Sequence, residues 1–322
     1  MLARMTPQVG GCAVGGISAS FGSDTGPLFE KGSGYPMTFA TPAPGRVEIC
    51  RFPGGKRIAL TTSFDDGHVF DRKIVEAFNA WGIKGTFNLN SGRLRRTGKP
   101  AAIDVKHTPL DACEVEPLYR GHEVAIHTVT HPWLDRLDAS QIASEVLDDR
   151  KALEDLVGYP VRGMAYPFGA YDRRVIAVLR ALGIVYARTV ENTGSCFPAA
   201  EPLAWGTTVH QYAASPTVPE RFQSILDNKR FSGVFFVWGH GFEFEDRNDW
   251  AGLERIYKPM SGHADVWYCT NIELFDYEEA RGRLHVSANR RIAHNPSAWT
   301  VTLNVDGRLV DVPGGQTLRL DT

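Results

Sequence analysis

The chain has 322 residues, 43% of them hydrophobic and 22% charged, with a formal net charge of −2. That length suits a single α/β barrel with extensions, and the composition supports a large buried core. No long basic run occurs, which argues against nucleic acid as a partner and for a neutral or small substrate.

Residues 1–45 are rich in Gly and Ser and read as a flexible N-terminal extension. Their apolar stretch is short and broken by glycine, which makes a poor signal peptide. The "VGGC" before Cys12 lacks the hydrophobic region of a lipoprotein signal. A cytoplasmic location is therefore expected. No apolar run reaches the roughly 18 residues of a membrane span. The five cysteines, Cys12, Cys50, Cys113, Cys196 and Cys269, are widely spaced without a C-x-x-C, so free thiols in a reducing compartment are expected.

"KRIALTTSF" (56–64) reads as a buried strand ending at two adjacent aspartates, Asp65 and Asp66. "DRKIVEAFNAWG" (71–82) has helical spacing and a glycine stop. A strand follows at 84–90, then a mostly irregular stretch over 91–120, a strand at 122–127 and an amphipathic helix over 138–158, with Asp138 or Ser140 as cap. Strand and turn at 162–169, helix at 172–183, strand at 184–189, helix at 219–230 and strand at 233–241 continue the alternation. A helix around 250–260, a strand at 265–270 and a helix at 272–282 complete it. Alternating strands and helices argue for a parallel sheet, and seven or eight units favour a closed barrel over 46–283. After residue 284 the period changes to two, with turn signals at "VDG" and "PGG", which predicts a small antiparallel β appendage over 284–322.

Polar residues interrupt four strand ends: Asp65 and Asp66, then His127 and His131 in "HTVTHP", then Tyr166, Pro167 and Phe168 in "AYPFG", then His240 in "WGHG". In a parallel barrel all strand C-termini open onto one face, so four separate segments converge on one rim. A helical turn or a tight loop brings His127 and His131 to one side. Neutral imidazoles with an aspartate make a three-ligand catalytic metal set. The aspartate pair then divides its labour. One carboxylate binds a divalent cation that offsets the repulsion between them, and the other stays free as a base.

"TSFDDG", "HTVTHP", "AYPFGAYD" and "VWGHG", in this order and spacing, resemble the polysaccharide deacetylase family, the NodB-homology group of carbohydrate esterases, over residues 56–283. The resemblance implies a distorted (β/α) barrel and one divalent metal held by Asp66, His127 and His131. Zinc is the first choice, and cobalt, nickel or manganese also suit the donor set. It implies Asp65 as general base, His240 as general acid and the backbone N–H of Phe168 as an oxyanion donor. The implied reaction removes acetyl groups from an N-acetylated or O-acetylated sugar or polysaccharide.

The sequence departs from the family at two places. Ala165 stands where an arginine normally orients the catalytic aspartate, and Arg188 is the substitute by position. The tract that supports the catalytic histidine has no clear match, which places the chain in a divergent branch. Tyr166 and Trp238 are further candidates for support or substrate contact, Trp133 is another rim aromatic, and Glu243 and Asn271 are polar residues near the site segments. Two other readings compete: hydrolysis of another non-peptide C–N bond, such as a cyclic amide or imide as in allantoinases, and a non-catalytic carbohydrate-binding module. The expected partner is a carbohydrate or small amide substrate, and the sequence leaves the oligomeric state open.

Overall fold

The computed structural model describes residues 42–194 and 197–321. The extension expected at the N-terminus lies outside the described residues up to position 41, as do Cys12 and Cys196. Cys50, Cys113 and Cys269 are free thiols.

In chain order the elements are β1 (Val47–Ile49), β2 (Ile58–Asp66), α1 (Asp71–Trp81), β3 (Thr86–Leu89), α2 (Ala112–Tyr119), β4 (Glu123–Ile126), α3 (Ala139–Val157), β5 (Gly163–Ala165), α4 (Arg173–Ala181) and β6 (Tyr186–Asn192). There follow β7 (Trp205–Thr207), β8 (Val209–His210), α5 (Val218–Asp227), β9 (Gly233–His240), α6 (Phe242–Asp246), α7 (Trp250–Tyr257), β10 (Val266–Tyr268) and α8 (Asn271–Arg283). The C-terminal part adds β11 (His285–Val286), β12 (Ile292–His294), β13 (Val301–Val305), β14 (Arg308–Val312) and β15 (Thr317–Arg319).

The large sheet runs β7-β6-β5-β4-β3-β2-β9-β8, and every pair in it is parallel. Its two ends, β7 and β8, are consecutive pieces of the single segment 205–210. One piece pairs with β6 and the other with β9, and Thr208 N between them donates to Phe236 O at 2.9 Å. The segment therefore closes the sheet into a ring of seven staves. An eighth strand, β10, pairs only with the opening residues of β2. This is the closed barrel the alternation predicted, with the distortion the resemblance implied. The closing stave was not foreseen, because "WGTTVH" is too short to show a period.

β2 is the central stave, and all but its last residue are buried, as a strand with neighbours on both edges and a packed face on each side must be. α1 packs Ile74, Val75 and Phe78 into the core and ends at Gly82, whose left-handed φ of 66° a residue with a side chain adopts only under strain. α3 opens with a capping box, Asp138 with Gln141, which decides between the two expected caps. The stretch read as irregular contains a helix, α2. Asp111 and Glu114 form its capping box, and Pro117 inside it is what disguised it.

The C-terminal part forms two three-stranded sheets, β1-β13-β14 and β11-β12-β15, all antiparallel. Leu303, Val301, Val312 and Ala293 pack there against Tyr277, Ala280 and Leu284. The β13–β14 hairpin turns at Asp306–Gly307, both at positive φ, as a two-residue turn requires. β1, expected to belong to the barrel segment, instead pairs with β13. Gly45 N and Arg46 N donate to the Asp306 carboxylate, so a boundary at residue 45 falls inside a tied segment.

Candidate active site

Strand register brings the expected residues together. Asp65 pairs in register with Asn88 on one side and His240 on the other, so three side chains stand at one level of the rim. Ala165 pairs with Arg188 on the neighbouring strand. In parallel strands, residues in register point to the same face. The small Ala165 therefore leaves room for the Arg188 side chain at the level where the family's arginine stands.

Arg188 reaches Asp65. Its Nη2 donates to both carboxylate oxygens, and Asn88 Nδ2 donates to Oδ1 at 2.8 Å. The guanidinium is 0% exposed and lies 4.8 Å from the Trp238 ring centroid, whose face accepts its charge. Asp65 is 4% exposed. Burial opposes its charge, but Arg188, then His127 and His240, hold its carboxyl well below the usual carboxylate range.

His127 and His131 are presented by a tight loop, not a helical turn. Thr128 and His131 sit at left-handed φ of 69° and 64°, and Asp66 and Phe168 beside them at 78° and 57°. Such backbone is strained for residues with side chains, and four of the seven such positions among the described residues gather at this rim. His127 is 1% exposed, and its Nδ1 donates to Ala165 O at 2.8 Å, which leaves the Nε2 lone pair free. His127 Nε2 and His131 Nε2 lie 3.8 and 3.5 Å from Asp66 Oδ1. Burial lowers the pKa of both imidazoles, that of His131 to about 4.

These residues fit a divalent cation. Asp66 Oδ1 is buried and accepts no hydrogen bond, and the three donor atoms lie within 4.8 Å of one another. Their separations exceed hydrogen-bond length and match donors that share one ion at about 2.0–2.2 Å each. Two neutral imidazoles and one carboxylate form an open three-ligand set.

His240 directs Nε2 towards Asp65 Oδ2 at 3.8 Å, and its Nδ1 donates to Glu243 Oε1 at 3.1 Å. Burial works against the charged ring, but the bond to Glu243 and the charge of Asp65 raise its pKa above the ordinary value. Glu243 is thus the carboxylate that holds the His240 ring, a contact for which no motif was found. Its signal was its place one helical turn after His240 on α6.

The remaining candidates separate. Phe168 is 50% exposed, stacks on Trp133 at 4.3 Å and meets His131 edge-on at 4.5 Å, so it faces the rim. Tyr166 does not: it is buried, its hydroxyl donates to Leu203 O at 2.6 Å, and it braces the turn from behind. Trp238 packs on Arg188, a supporting place. Asn271 sits at the far end of the barrel beside Thr61. One residue the sequence did not single out is Asp149 of α3. It is fully buried and accepts from Ser91 N at 2.7 Å and His127 N at 3.0 Å, tying the ends of β3 and β4.

Residues 52–187 match the family model for polysaccharide deacetylase. Over these residues the chain is similar to polysaccharide deacetylases. The peptidoglycan-N-acetylglucosamine deacetylase PgdA of Listeria monocytogenes is 29% identical over 131 residues, 40% of this chain and 25% of that protein. A chitin deacetylase of Pestalotiopsis sp. is 28% identical over 138 residues, 42% of each chain. The chain thus spans less than half the length of these curated relatives. A Mycobacterium smegmatis crystal structure described as a polysaccharide deacetylase superposes with a TM-score of 0.54 at 17% identity, covering 76% of this chain and 96% of that one, which shows a shared fold.

Proposed function

We propose that this chain is a metal-dependent hydrolase that removes acetyl groups from N-acetylated or O-acetylated sugars or their polymers. The observation that carries the reading is the asymmetry of the aspartate pair. Asp66 faces two imidazoles with an unpartnered oxygen, while Asp65, one residue earlier, is clamped by Arg188 and Asn88.

Asp66, His127 and His131 would hold the cation. When bound, it supplies Lewis acidity to the acetyl carbonyl and to the attacking water. Arg188 keeps Asp65 ionised and fixes its orientation, so its free lone pairs accept the water's proton as attack proceeds. The Phe168 backbone N–H is the proposed donor to the developing oxyanion. His240, held by Glu243 with its raised pKa, carries the proton that leaves with the amine or the sugar hydroxyl. Phe168 and Trp133 form an aromatic wall beside His131 that suits the apolar face of a sugar ring.

A missing arginine and a cytoplasmic location are the two features that favour a cyclic amide or imide substrate, and Arg188, supplying a guanidinium from the next strand, answers the first. The relatives named for peptidoglycan and chitin deacetylation support an N-acetylated sugar substrate. A panel of N-acetylglucosamine oligomers, acetylated xylan and cyclic imides, assayed with zinc and with cobalt, tests this. Acetate release from the acetylated sugars is expected. Ring opening of imides without acetate release would contradict it.

A further inference from the structure

The reading of His240 as acid leaves open what holds its support in place. Glu243 Oε1 accepts two hydrogen bonds, from His240 Nδ1 and from His210 Nε2, both at 3.1 Å. Its Oε2 accepts from Gln211 Nε2 at 2.6 Å, and the same amide donates to His240 O at 2.9 Å. Gln211 is itself fixed, because its Oε1 accepts from the buried Tyr257 hydroxyl at 3.1 Å. A Cβ on Gly239 would lie 2.3 Å from Gln211 Cδ, so only glycine lets this amide approach β9.

His210, His240 and Glu243 also have the spacing of a cation site. The tautomer argues against one. Tyr212 N donates to His210 Nδ1 at 3.3 Å, so in the neutral ring the hydrogen is on Nε2, and no lone pair is left there for a metal. His210 is a fixed donor to Glu243.

We propose that His210 and Gln211 are positioning residues for the general acid. Together they clamp both oxygens of Glu243, and through it they hold His240 with hydrogen on Nδ1 and Nε2 directed at Asp65 and the substrate. His210 ends the segment that closes the barrel, where it pairs in register with Trp238, and Gln211 follows it directly. The closing stave thus fixes the acid as well as the ring. The inference rests on the deacetylase reading for its kinetic consequence but not for its geometry.

The test uses the full chain loaded with zinc, in wild type, His210→Phe, His210→Gln and Gln211→Leu forms. Phenylalanine keeps the ring and removes the donor, whereas glutamine restores an N–H donor. Gln211→Leu probes the clamp from the other oxygen should phenylalanine at 210 disturb folding. In His210→Phe and Gln211→Leu, kcat on an N-acetylglucosamine oligomer should fall about tenfold or more, a fraction of what a general acid supplies. KM should change little, and His210→Gln should recover part of the loss. The slowly exchanging His240 Nδ1–H signal in proton–nitrogen spectra should vanish in His210→Phe and return in His210→Gln. An unchanged kcat and signal in both donor-deleted variants would overturn the proposal. So would a second equivalent of zinc bound by wild type and lost in His210→Phe. If wild type releases no acetate, the deacetylase reading fails, and the Nδ1–H signal alone still decides the clamp.

Discussion

Asp65 and Arg188 form the most consequential pair in the molecule. Both are almost fully buried, so removing one partner strands a charge in a poorly solvated place. Arg188→Met should lower unfolding stability by about 3–5 kcal/mol in denaturant titrations and abolish most turnover. Asp149 acts at one remove, through the His127 backbone. Asp149→Asn turns a double acceptor into a group with one acceptor and one misplaced donor. Metal affinity should fall about 10–100-fold in competition titrations, as for other residues that orient ligands. At this scale the sequence was legible where a motif carried chemistry: Asp65, Asp66, His127, His131 and His240 meet as their spacing implied. Arg188 was legible because strand ends share a rim. His210, Gln211 and Asp149 were not. Each acts through a hydrogen bond to a residue at least 22 positions away or to a partner on another element, and no local period records that.

Among the elements, the buried runs and helical periods marked most staves and helices correctly. What escaped were short pieces defined by their partners. β7 and β8 exist because β6 and β9 leave two open edges, and α2 exists because Asp111 and Glu114 cap it despite Pro117. The same reasoning applies to β1, whose three residues complete the C-terminal sheet beside β13. Deleting the chain through Ile49 should unpair Leu303, Asn304 and Val305. Hydrogen exchange should then rise sharply along β13 and α8, where Tyr277 and Ala280 face that sheet, and much less along β3 and β4. Equal protection of β13 in the shortened chain would show that β1 contributes nothing there.

Across the whole molecule, buried titratable groups set the response to pH. Burial raises the carboxyls of Asp71 to about 8 and of Glu123 and Asp149 to about 7. The folded chain keeps protons there that the unfolded chain loses near pH 4, so these groups stabilise the fold at low pH and the contribution disappears as pH rises through 7 to 8. His240, with its raised pKa, adds to the same slope. Burial holds His68, His122 and His131 near 4, so the unfolded chain takes up protons below about 6.5 that the fold refuses. The two sets oppose each other between about 4 and 6.5, and above that the carboxyls and His240 act in the same direction. The denaturation midpoint of the metal-free protein should therefore fall between pH 6.5 and 8.5, estimated from these linkages. Asp71→Asn should flatten that fall, since an amide keeps the Tyr119 contact without titrating. The account as a whole turns on the two aspartates having different tasks. Asp65→Asn, purified beside wild type and examined for bound zinc and for acetate released from an N-acetylglucosamine oligomer, tests that most directly. The account predicts one equivalent of zinc in both proteins and acetate from wild type alone. Intact turnover in Asp65→Asn, or a wild type that binds no divalent metal, would contradict it.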